Sequence, residues 1–546
     1  MQIPSGPEFY YLANFLTAMD WISSRYDDLL DEQERQFITD FRTLALPAQA
    51  LLVRLVMRKG PHFRRSKLSY AEIGDIDAAA EPLLELGWIS TQAPLTITET
   101  LALLRRDEAA ICFAEIAPLR SAAKNVMYQL LADACPGAQS FTDWCPALND
   151  VLFTLVVSDL CDRLRLIFFG NLRQTWSEFV LADLGIFRYE QVSISRESRG
   201  FGCRTDVEQY LHIHRCREDV ESQMPIEQVL ERLGTLECAN PYVRNRYAKL
   251  LFAMARQLER AGESCLALEL YERSRYSGAR QRRVRILEKC ERYGEAYALA
   301  REALADPESD TEQQLVERAL HRVARKLGVS TTQIPKRLAE NRIDLSLPGP
   351  APFTVELLVR DHLARPDAPV HYVENALISS LFGLLCWEAI FAPLPGAFFH
   401  PFHNAPVDLH SPDFRHRRAD LFDACLGQLD SDAYKDSIWR TWEAKYGIQS
   451  PFVFWGALSP ELLEQALACL PAAHLRIWME RLLCDVRANR AGMPDLIQFW
   501  PAEQRYRMIE VKGPGDRLQD NQRRWLALCA QHDMPVDVCY VQWASA

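Results

Sequence analysis

Apolar residues recur every few positions along the first part of the chain. The first series consists of Phe9, Leu12, Leu16, Met19 and Ile22. This spacing places the apolar side chains on one face of a helix, so residues 1–45 are predicted to be helical. Pro47 favours a further helix over Ala48–Met57, because proline is tolerated in the first helical turn. Tyr70–Leu86 is predicted to form two short helices, and a strand is predicted to begin at Gly87.

A cluster of cations interrupts these helices. Residues 54–67 contain six Lys or Arg and no acid: Arg54, Arg58, Lys59, Arg64, Arg65 and Lys67. Crowded cations repel one another unless an anion shares their surroundings. We therefore expect phosphate contacts from five of them, namely Arg54, Arg58, Lys59, Arg64 and Arg65. A solvated loop would have the same composition. Helix, basic turn, two helices and strand, in this order, are typical of a winged-helix module.

An internal repeat lies between residues 240 and 330. Glu259–Glu263 (Glu-Arg-Ala-Gly-Glu) recurs 32 positions later as Glu291–Glu295 (Glu-Arg-Tyr-Gly-Glu), with a helical pattern before and after each glycine. The period is close to that of tetratricopeptide repeats, about 34 residues, so a stack of helix pairs is predicted. Residues 273–292 carry eight Lys or Arg against two acids, which indicates a local basic surface. Residues 140–235 are predicted to be mainly helical.

Two short apolar runs near the C-terminus have the pattern of a hairpin. Leu496–Trp500 and Tyr506–Val511 have the composition of buried strands, and Pro501–Gln504 is turn-like. Folding the second strand back on the first brings Asp495 beside Glu510. The sequence therefore predicts a pair of carboxylates at the end of a small sheet.

The residues around Glu510 add a cation to this pair. Side chains two positions apart in a strand share a face, so Lys512 points the same way as Glu510, while Val511 points into the core. Carboxylates bind Mg²⁺ or Mn²⁺, which keeps some of its waters and meets a substrate phosphate. The backbone carbonyl of Val511 can add a further ligand.

These residues resemble the PD-(D/E)xK nucleases and, more narrowly, the VRR-NUC domain of the Fanconi-associated nuclease family. The family's pattern continues as Glu510-Val511-Lys512-Gly513-Pro514, Asp516-Arg517-Leu518, Gln522 and Trp525-Leu526-Ala527. Any chain of this length contains some Pro-Asp and some Glu-x-Lys, so the long downstream match is what identifies the motif. The resemblance is strong over residues 350–546, fair over 240–345 and weak before that.

The resemblance implies further site residues. Glu374 precedes Gly383-Leu384-Leu385-Cys386-Trp387 at the distance of the family's upstream metal-binding glutamate, and is expected in the first turn of the following helix. A carboxylate there also interacts favourably with the helix dipole. Residues 96–135 have a helix–loop–helix pattern that resembles the family's SAP module, with Lys124 as its basic residue, although two ordinary packed helices would share it.

The candidate site residues fall into three groups. The proposed catalytic residues are Glu374, Asp495, Glu510 and Lys512. The proposed metal ligands are Glu374, Asp495, Glu510 and Val511. Lys512 is expected to orient the attacking water and offset charge on phosphorus. The family binds a DNA terminal phosphate in the helical repeat, which implies DNA binding by Arg280, Arg282 and Arg283. Arg487, Arg490 and Arg517 are expected to bind phosphates beside the metal, unless they form only a solvated face.

Composition limits the other possibilities. The net charge is −11, so DNA binding must rest on local basic clusters. The fifteen cysteines form no Cys-x-x-Cys pair, which argues against zinc and against the ubiquitin-binding zinc finger of long eukaryotic members. The most apolar run, residues 376–399, contains Glu388, Pro393 and Pro395 and favours a buried helix over a membrane span. No signal peptide is evident, so a cytoplasmic, nucleoid-associated protein is expected if the source is bacterial.

We therefore predict a multidomain, mainly α-helical protein with a C-terminal α/β domain of the restriction-endonuclease type. The predicted domains are a winged-helix-like module (1–95), a SAP-like module (96–135), a helical bridge with tetratricopeptide-like repeats (136–345) and a VRR-NUC domain (350–546). The resemblance implies a metal-dependent nuclease that cuts branched DNA near 5′ flap junctions during crosslink repair. Two alternatives are a helical scaffold that only holds DNA and a restriction-type enzyme that reads sequence; no obvious base-reading helix motif supports the latter.

Overall fold

The computed structural model describes residues 7–113, 131, 137–176, 187–330, 341–349 and 354–544. The chain divides into two compact units. The N-terminal unit comprises the described residues up to 186 together with 201–208, and the C-terminal unit comprises 187–200 together with the residues from 209 onward. Each unit is described by itself below.

Helices predominate among the described residues, and ten short strands form three sheets. The helices are α1 (Tyr10–Arg25), α2 (Glu32–Thr43), α3 (Leu46–Val56), α4 (Ile76–Glu85), α5 (Ile97–Leu103), α6 (Arg106–Cys112), α7 (Phe141–Trp144), α8 (Ser158–Phe169), α9 (Arg204–Glu221), α10 (Ile226–Leu233), α11 (Pro241–Ala261), α12 (Ser264–Arg273), α13 (Ala279–Lys289), α14 (Tyr293–Ala305), α15 (Asp310–Leu327), α16 (Val355–Leu363), α17 (Leu377–Leu385), α18 (Trp387–Ile390), α19 (Ala419–Gly427), α20 (Ala433–Lys445), α21 (Pro460–Cys469), α22 (Ala472–Cys484), α23 (Val486–Asn489) and α24 (Asp520–Gln531). The strands are β1 (His62–Arg64), β2 (Ile89–Ser90), β3 (Leu95–Thr96), β4 (Ala138–Gln139), β5 (Leu152–Leu155), β6 (Arg342–Leu347), β7 (Val370–Tyr372), β8 (Leu496–Trp500), β9 (Arg505–Lys512) and β10 (Val536–Trp543).

The N-terminal unit begins with a helical module that is closed by an antiparallel sheet in the order β1-β5-β2. The predicted winged-helix type of module is therefore confirmed, with two corrections. Only α4 forms between residues 70 and 86, because the Asp75 side chain accepts the backbone N–H groups of Asp77 and Ala78 and so sets the start of the helix at Ile76. Residues 152–155 were expected to be helical but form the central strand between β1 and β2; all four side chains are buried, and a short apolar run of this length suits a buried strand as well as a helix.

The SAP-like module follows within the same unit. Strands β3 and β4 pair antiparallel, and Thr96 caps α5 through a capping box with Glu99. Its core consists of buried residues that include Leu95, Leu101 and Phe141. Lys124 lies outside the described residues.

The predicted helical repeat corresponds to α11–α15, whose successive helices pack against one another in the C-terminal unit. Gly262 ends α11 in the left-handed conformation (φ +92°), which a side chain would disfavour. The second copy differs from the expectation. There Glu291 takes the left-handed conformation (φ +58°), and Gly294 lies inside the first turn of α14.

A five-stranded mixed sheet organises the C-terminal part of this unit. Its strand order is β6-β10-β9-β8-β7. Strand β10 is parallel to β6 and β9, whereas β8 is antiparallel to β9 and β7. The helix α24 connects β9 to β10, and α16 packs on β7 and β9. The restriction-endonuclease-like α/β fold is thus confirmed. Its edge strand β6 comes from residues before 350, because the alternating Ile343, Leu345 and Leu347 complete the sheet's core.

The apolar run at residues 376–399 is not one helix. It contains two short helices, α17 and α18, and every residue of α17 is buried. No helix among the described residues is long and apolar enough to cross a membrane. These helices begin a helical insertion that extends to α23 and separates β7 from β8 in the sequence.

Candidate active site

The predicted hairpin forms and fixes the position of Asp495. Leu496 pairs with Ile509 across the antiparallel strands β8 and β9, so Asp495 lies beside Glu510. The backbone N–H of Val511 donates to the Asp495 carboxylate at 2.8 Å. The backbone carbonyl of Asp495 accepts the N–H of Val373 at 2.9 Å. Hydrogen bonds from β9 and from the residue after β7 therefore hold Asp495 at the end of the sheet.

Glu510 is fully buried, with 0% of its surface exposed. One carboxylate oxygen, Oε1, lies 2.7 Å from Lys512 Nζ and accepts a hydrogen bond from Gln522 Nε2 at 2.6 Å. The other oxygen, Oε2, is buried and has no hydrogen-bond partner among the described residues. A buried carboxylate oxygen without a partner is costly, so this atom is suited to binding a cation.

The electrostatics of Asp495 and Glu510 also favour the binding of a cation. Burial raises the pKa of both Asp495 and Glu510 above the ordinary values of carboxyl groups. The charge of Asp495 raises the pKa of Glu510 further, and Lys512 opposes this shift. Two buried carboxylates beside a single ammonium are incompletely neutralised. A divalent cation would favour the ionised form of both.

Glu374 lies at the same end of the sheet but not in a helix. It occupies the turn between β7 and α17, which begins three residues later at Leu377. The hydroxyl of Tyr372 donates to its carboxylate, and Asn375 Nδ2 donates at 3.3 Å. The expected helical position is therefore wrong. The left-handed Asn375 (φ +55°) separates Glu374 from the helix start.

Asn375 also ties this turn to the one that precedes Asp495. Its Oδ1 accepts the backbone N–H groups of Gly492 and Met493, at 2.8 and 3.1 Å. Gly492 has φ +99°, and a Cβ there would lie 2.8 Å from the Asn521 side chain. The glycine therefore allows α24 to approach closely, and α24 carries Gln522 to Glu510.

The residues present fit a divalent cation. Among the residues that the structure describes, no three His, Cys, Asp or Glu side chains converge as a preformed metal group. Two hard oxygen donors do meet, Asp495 and Glu510, and one of their oxygens lacks a partner. These two would hold the ion. The Val511 carbonyl and Glu374 remain predicted ligands.

A mixed sheet whose hairpin brings a Pro-Asp aspartate to a Glu-x-Lys strand defines a nuclease of the PD-(D/E)xK class. Three family models match the chain: the VRR-NUC domain over residues 430–543, the FAN1 HTH domain over 9–90 and the Fanconi anemia-associated nuclease SAP domain over 94–144. The chain belongs to the Fanconi-associated nuclease family. VRR-NUC nucleases depend on divalent metal ions.

Relatives match nearly the whole chain. A Fanconi-associated nuclease 1 homolog from Pseudomonas aeruginosa is 54% identical over 99% of this chain and 97% of its own length. The human Fanconi-associated nuclease 1 is 26% identical over 97% of this chain, which spans 62% of the human protein. A crystal structure of paFAN1 bound to DNA with a 2-nucleotide 5′ flap and a gap matches with TM-score 0.92 and 53% identity, over 100% of both chains.

The predicted basic cluster of the N-terminal unit has acidic neighbours in the fold. Arg64 is 8% exposed and bonds to Glu108 at 2.6 Å and to Asp150 at 2.7 Å. Arg54 bonds to Glu72, and Arg65 bonds to Asp77 at 2.6 Å. The premise that these arginines lack acidic partners is wrong, because the partners come from later elements. Arg58 and Lys59 are exposed and have no ion pair within the described ranges.

The predicted DNA-binding arginines of the repeat are paired as well. Arg280 bonds to Glu312 at 2.7 Å, Arg282 to Glu259 at 3.3 Å and Arg283 to Glu272 at 2.7 Å. Three other cations of the same stretch are exposed and make no ion pair with described residues: Arg275, Arg285 and Lys289. Sequence reasoning missed this division, because a charge count does not show which acids the neighbouring helices supply.

The three arginines predicted beside the metal are free of ion pairs with the described residues. Arg487 donates to the Tyr276 hydroxyl at 3.2 Å, and Arg490 donates to the Pro451 carbonyl at 3.1 Å. Arg517 is exposed in the loop between β9 and α24.

Two side chains at the site were not predicted to have a role there. Gln522 was recognised only as part of the family's pattern, and it bonds directly to Glu510. Tyr372 bonds to Glu374 and is 43% exposed. The only signal for Tyr372 was its position two residues before Glu374 at the end of an extended segment.

Proposed function

We propose that this protein is a metal-dependent, structure-specific DNA nuclease. It hydrolyses phosphodiester bonds near 5′ flap junctions, as an endonuclease and a 5′-to-3′ exonuclease, in interstrand crosslink repair. The observation that carries the proposal is the buried Glu510 carboxylate, whose Oε2 has no partner among the described residues and which lies beside Asp495. A protein that only holds DNA does not need a buried acidic pair facing a polyanion.

The cation is Mg²⁺ or Mn²⁺, since both prefer carboxylate oxygens. When bound, it lowers the pKa of a water and stabilises negative charge on the phosphate. Asp495 and Glu510 hold the ion, with the Val511 carbonyl as an additional ligand. Glu374 orients the ion or its water. Lys512 holds Glu510 Oε1, and its remaining N–H groups orient the attacking water toward phosphorus.

The substrate assignment rests on the paFAN1 structures, which contain 5′ flap DNA and share 53% identity with this chain. The DNA contacts that we propose come from exposed or half-buried cations that make no ion pair with described residues, because paired ones would exchange one anion for another. They are Arg58, Lys59, Arg487, Arg490 and Arg517, together with Arg275, Arg285 and Lys289 of the helical repeat. A cytoplasmic, nucleoid-associated location fits a DNA substrate in a bacterium such as the source of the Pseudomonas relative.

The test compares a labelled 5′-flap duplex, an intact duplex and a single strand, each with Mg²⁺, Mn²⁺ or EDTA. We expect cleavage of the flap near its junction, little cleavage of the other two and none in EDTA. Equal cutting of all three substrates would exclude structure specificity. Binding without cutting in any metal would identify a scaffold.

Substitutions at the acidic pair test the site itself. Asp495→Asn and Glu510→Gln should abolish cleavage and keep or tighten flap binding, because each removes negative charge that repels phosphates. Asp344→Asn is the matched control, since this aspartate lies on the exposed edge strand β6 of the same sheet. If either site variant cuts at close to the wild-type rate while bound to Mg²⁺, the site assignment fails.

A further inference from the structure

A carboxylate outside the predicted set lies next to the active site. Glu356 occupies the first turn of α16, which packs on β7 and β9. Val355 Cγ1 would lie 3.7 Å from a Cβ placed on Gly513, and the buried Val359 shares a core cluster with Val511. The first turn of α16 is therefore held at the end of β9, immediately beyond Lys512.

The Glu356 side chain has no partner that explains its position. It is half-buried, and it makes no hydrogen bond or ion pair with any residue that the structure describes. Its charge nevertheless acts on the site. Burial and other neighbouring groups have larger effects, but the charge of Glu356 also raises the pKa of Asp495 and of Tyr372. Such an effect fades with distance, which agrees with the packing of this turn beside the space that Asp495 and Tyr372 border.

A second, independent atom indicates what this space binds. Glu510 Oε2 is completely buried in the same site and has no partner among the described residues. Glu356 is not close enough to form a three-ligand group with the other carboxylates, since the described residues contain no such group. A direct metal bond from Glu356 is therefore not what the geometry favours. Mg²⁺ keeps several of its waters in proteins, and carboxylates beyond direct bonding distance can accept hydrogen bonds from these waters.

We propose that Glu356 is an outer-sphere carboxylate of the active-site cation, accepting hydrogen bonds from the waters that the cation keeps. The inference rests on the proposed function, since it requires a divalent cation at Asp495 and Glu510. Glu356 is thus a positioning residue. Its contribution should be larger for Mg²⁺ than for Mn²⁺, because Mg²⁺ gives up its waters more reluctantly.

The test measures cation binding to the full-length protein without DNA. Free Mn²⁺ is followed by electron paramagnetic resonance during titration, and Mg²⁺ affinity is obtained by its displacement of bound Mn²⁺. Glu356→Gln should weaken Mg²⁺ binding by about 10-fold, the lower end for outer-sphere partners, and Mn²⁺ binding by less. Asp361→Asn is the matched control, because Asp361 lies on the same helix, is exposed and pairs only with Arg360 among the described residues. It should leave both affinities unchanged.

Each outcome decides between alternatives. Unchanged Mg²⁺ and Mn²⁺ affinities in Glu356→Gln overturn the inference. An equal loss for both metals also overturns it, because it indicates a direct ligand or a structural role. Should Glu356→Gln melt at a lower temperature, Glu356→Lys at the same half-buried position provides a second variant, for which a larger Mg²⁺ loss is expected. Wild-type protein that neither binds Mn²⁺ nor cuts flap DNA would instead refute the proposed function.

Discussion

Tyr372 reaches the active site only through another side chain. Its hydroxyl donates to Glu374, and 43% of its surface is exposed. Tyr372→Phe removes this hydrogen bond while keeping the ring, so stability should change little. The glutamate would lose its main restraint, and we expect flap cleavage to slow by about 10-fold. Single-turnover cleavage measures the effect, with Tyr446→Phe, at an exposed tyrosine of the same unit, as the control. Equal rates for both variants would leave Tyr372 without a role.

Lys512 and Gln522 both contact Glu510 Oε1, but only one of them is charged. Lys512→Ala should lower the single-turnover rate by about 100-fold or more, because it removes a donor aimed at developing charge. Gln522→Ala should cost less, about 10-fold, because it only loosens the carboxylate. Circular dichroism checks that both variants fold. A larger loss for Gln522→Ala than for Lys512→Ala would reverse these two roles.

At the scale of elements, the ion pairs of Arg64 with Glu108 and Asp150 join β1 to α6 and to the segment before β5. The Arg64 hydrogen bond lowers the pKa of Glu108 to about 2. A carboxyl group whose pKa is lowered in the folded state stabilises the protein above its ordinary pKa, here 4.5, and loses that contribution as pH falls toward 2. Protection of β5 amides against hydrogen exchange should therefore decrease between pH 4.5 and pH 3.

Glu108→Gln provides the comparison. At pH 6 this variant should exchange its β5 amides faster than wild type, because the buried Arg64 keeps only Asp150. The difference should shrink as the pH falls below 4.5, since Glu108 becomes protonated in the unfolded state and the stabilisation from its lowered pKa in the folded state decreases. Exchange measured by mass spectrometry in full-length protein isolates this unit from the other. A difference that stays constant from pH 6 to pH 3 would show that folding does not lower the pKa of Glu108.

The sequence was sufficient to predict the elements whose determinants are local. The β8–β9 hairpin follows from two apolar runs around a turn, and its register brings Asp495 to Glu510. The element around Glu374 was predicted wrongly, because Asn375 adopts its left-handed conformation through bonds to Gly492 and Met493, which lie more than a hundred residues away. Conformational propensities read from a short stretch of sequence carry no information about contacts between residues this far apart.

The same limit applies to the arginines. The acidic partners in three of these pairs lie far along the chain: 18 residues for Arg54, 86 for the Arg64–Asp150 bond and 32 for Arg280. A local charge count therefore described residues 54–67 and 273–292 as basic, although the fold neutralises about half of these side chains. The number of cations was correct, but which of them are free to bind phosphate could not be predicted without the tertiary structure.

For the molecule as a whole, a net charge of −11 means that DNA affinity depends on the cations that the described fold leaves without acidic partners. Within residues 273–292 of the helical repeat, the cations that make no ion pair with a described residue are Arg275, Arg285 and Lys289, whereas Arg280 and Arg283 are held by Glu312 and Glu272. The two sets have the same charge per residue but different surroundings. Replacing them should therefore affect different properties of the protein.

We expect the triple substitution Arg275→Ala, Arg285→Ala and Lys289→Ala to weaken flap binding and make its salt dependence shallower. Each lost phosphate contact lowers the slope of log affinity against log salt by about 0.9. Arg280→Ala with Arg283→Ala should change this slope much less. It should lower the unfolding temperature instead, because Glu312 is 2% exposed and would lose its partner. Fluorescence anisotropy across a salt series and thermal unfolding of both variants separate the two effects. If the paired arginines set the slope and the exposed ones do not, DNA must displace Glu312 and Glu272, and the family's phosphate-binding role would return to Arg280 and Arg283.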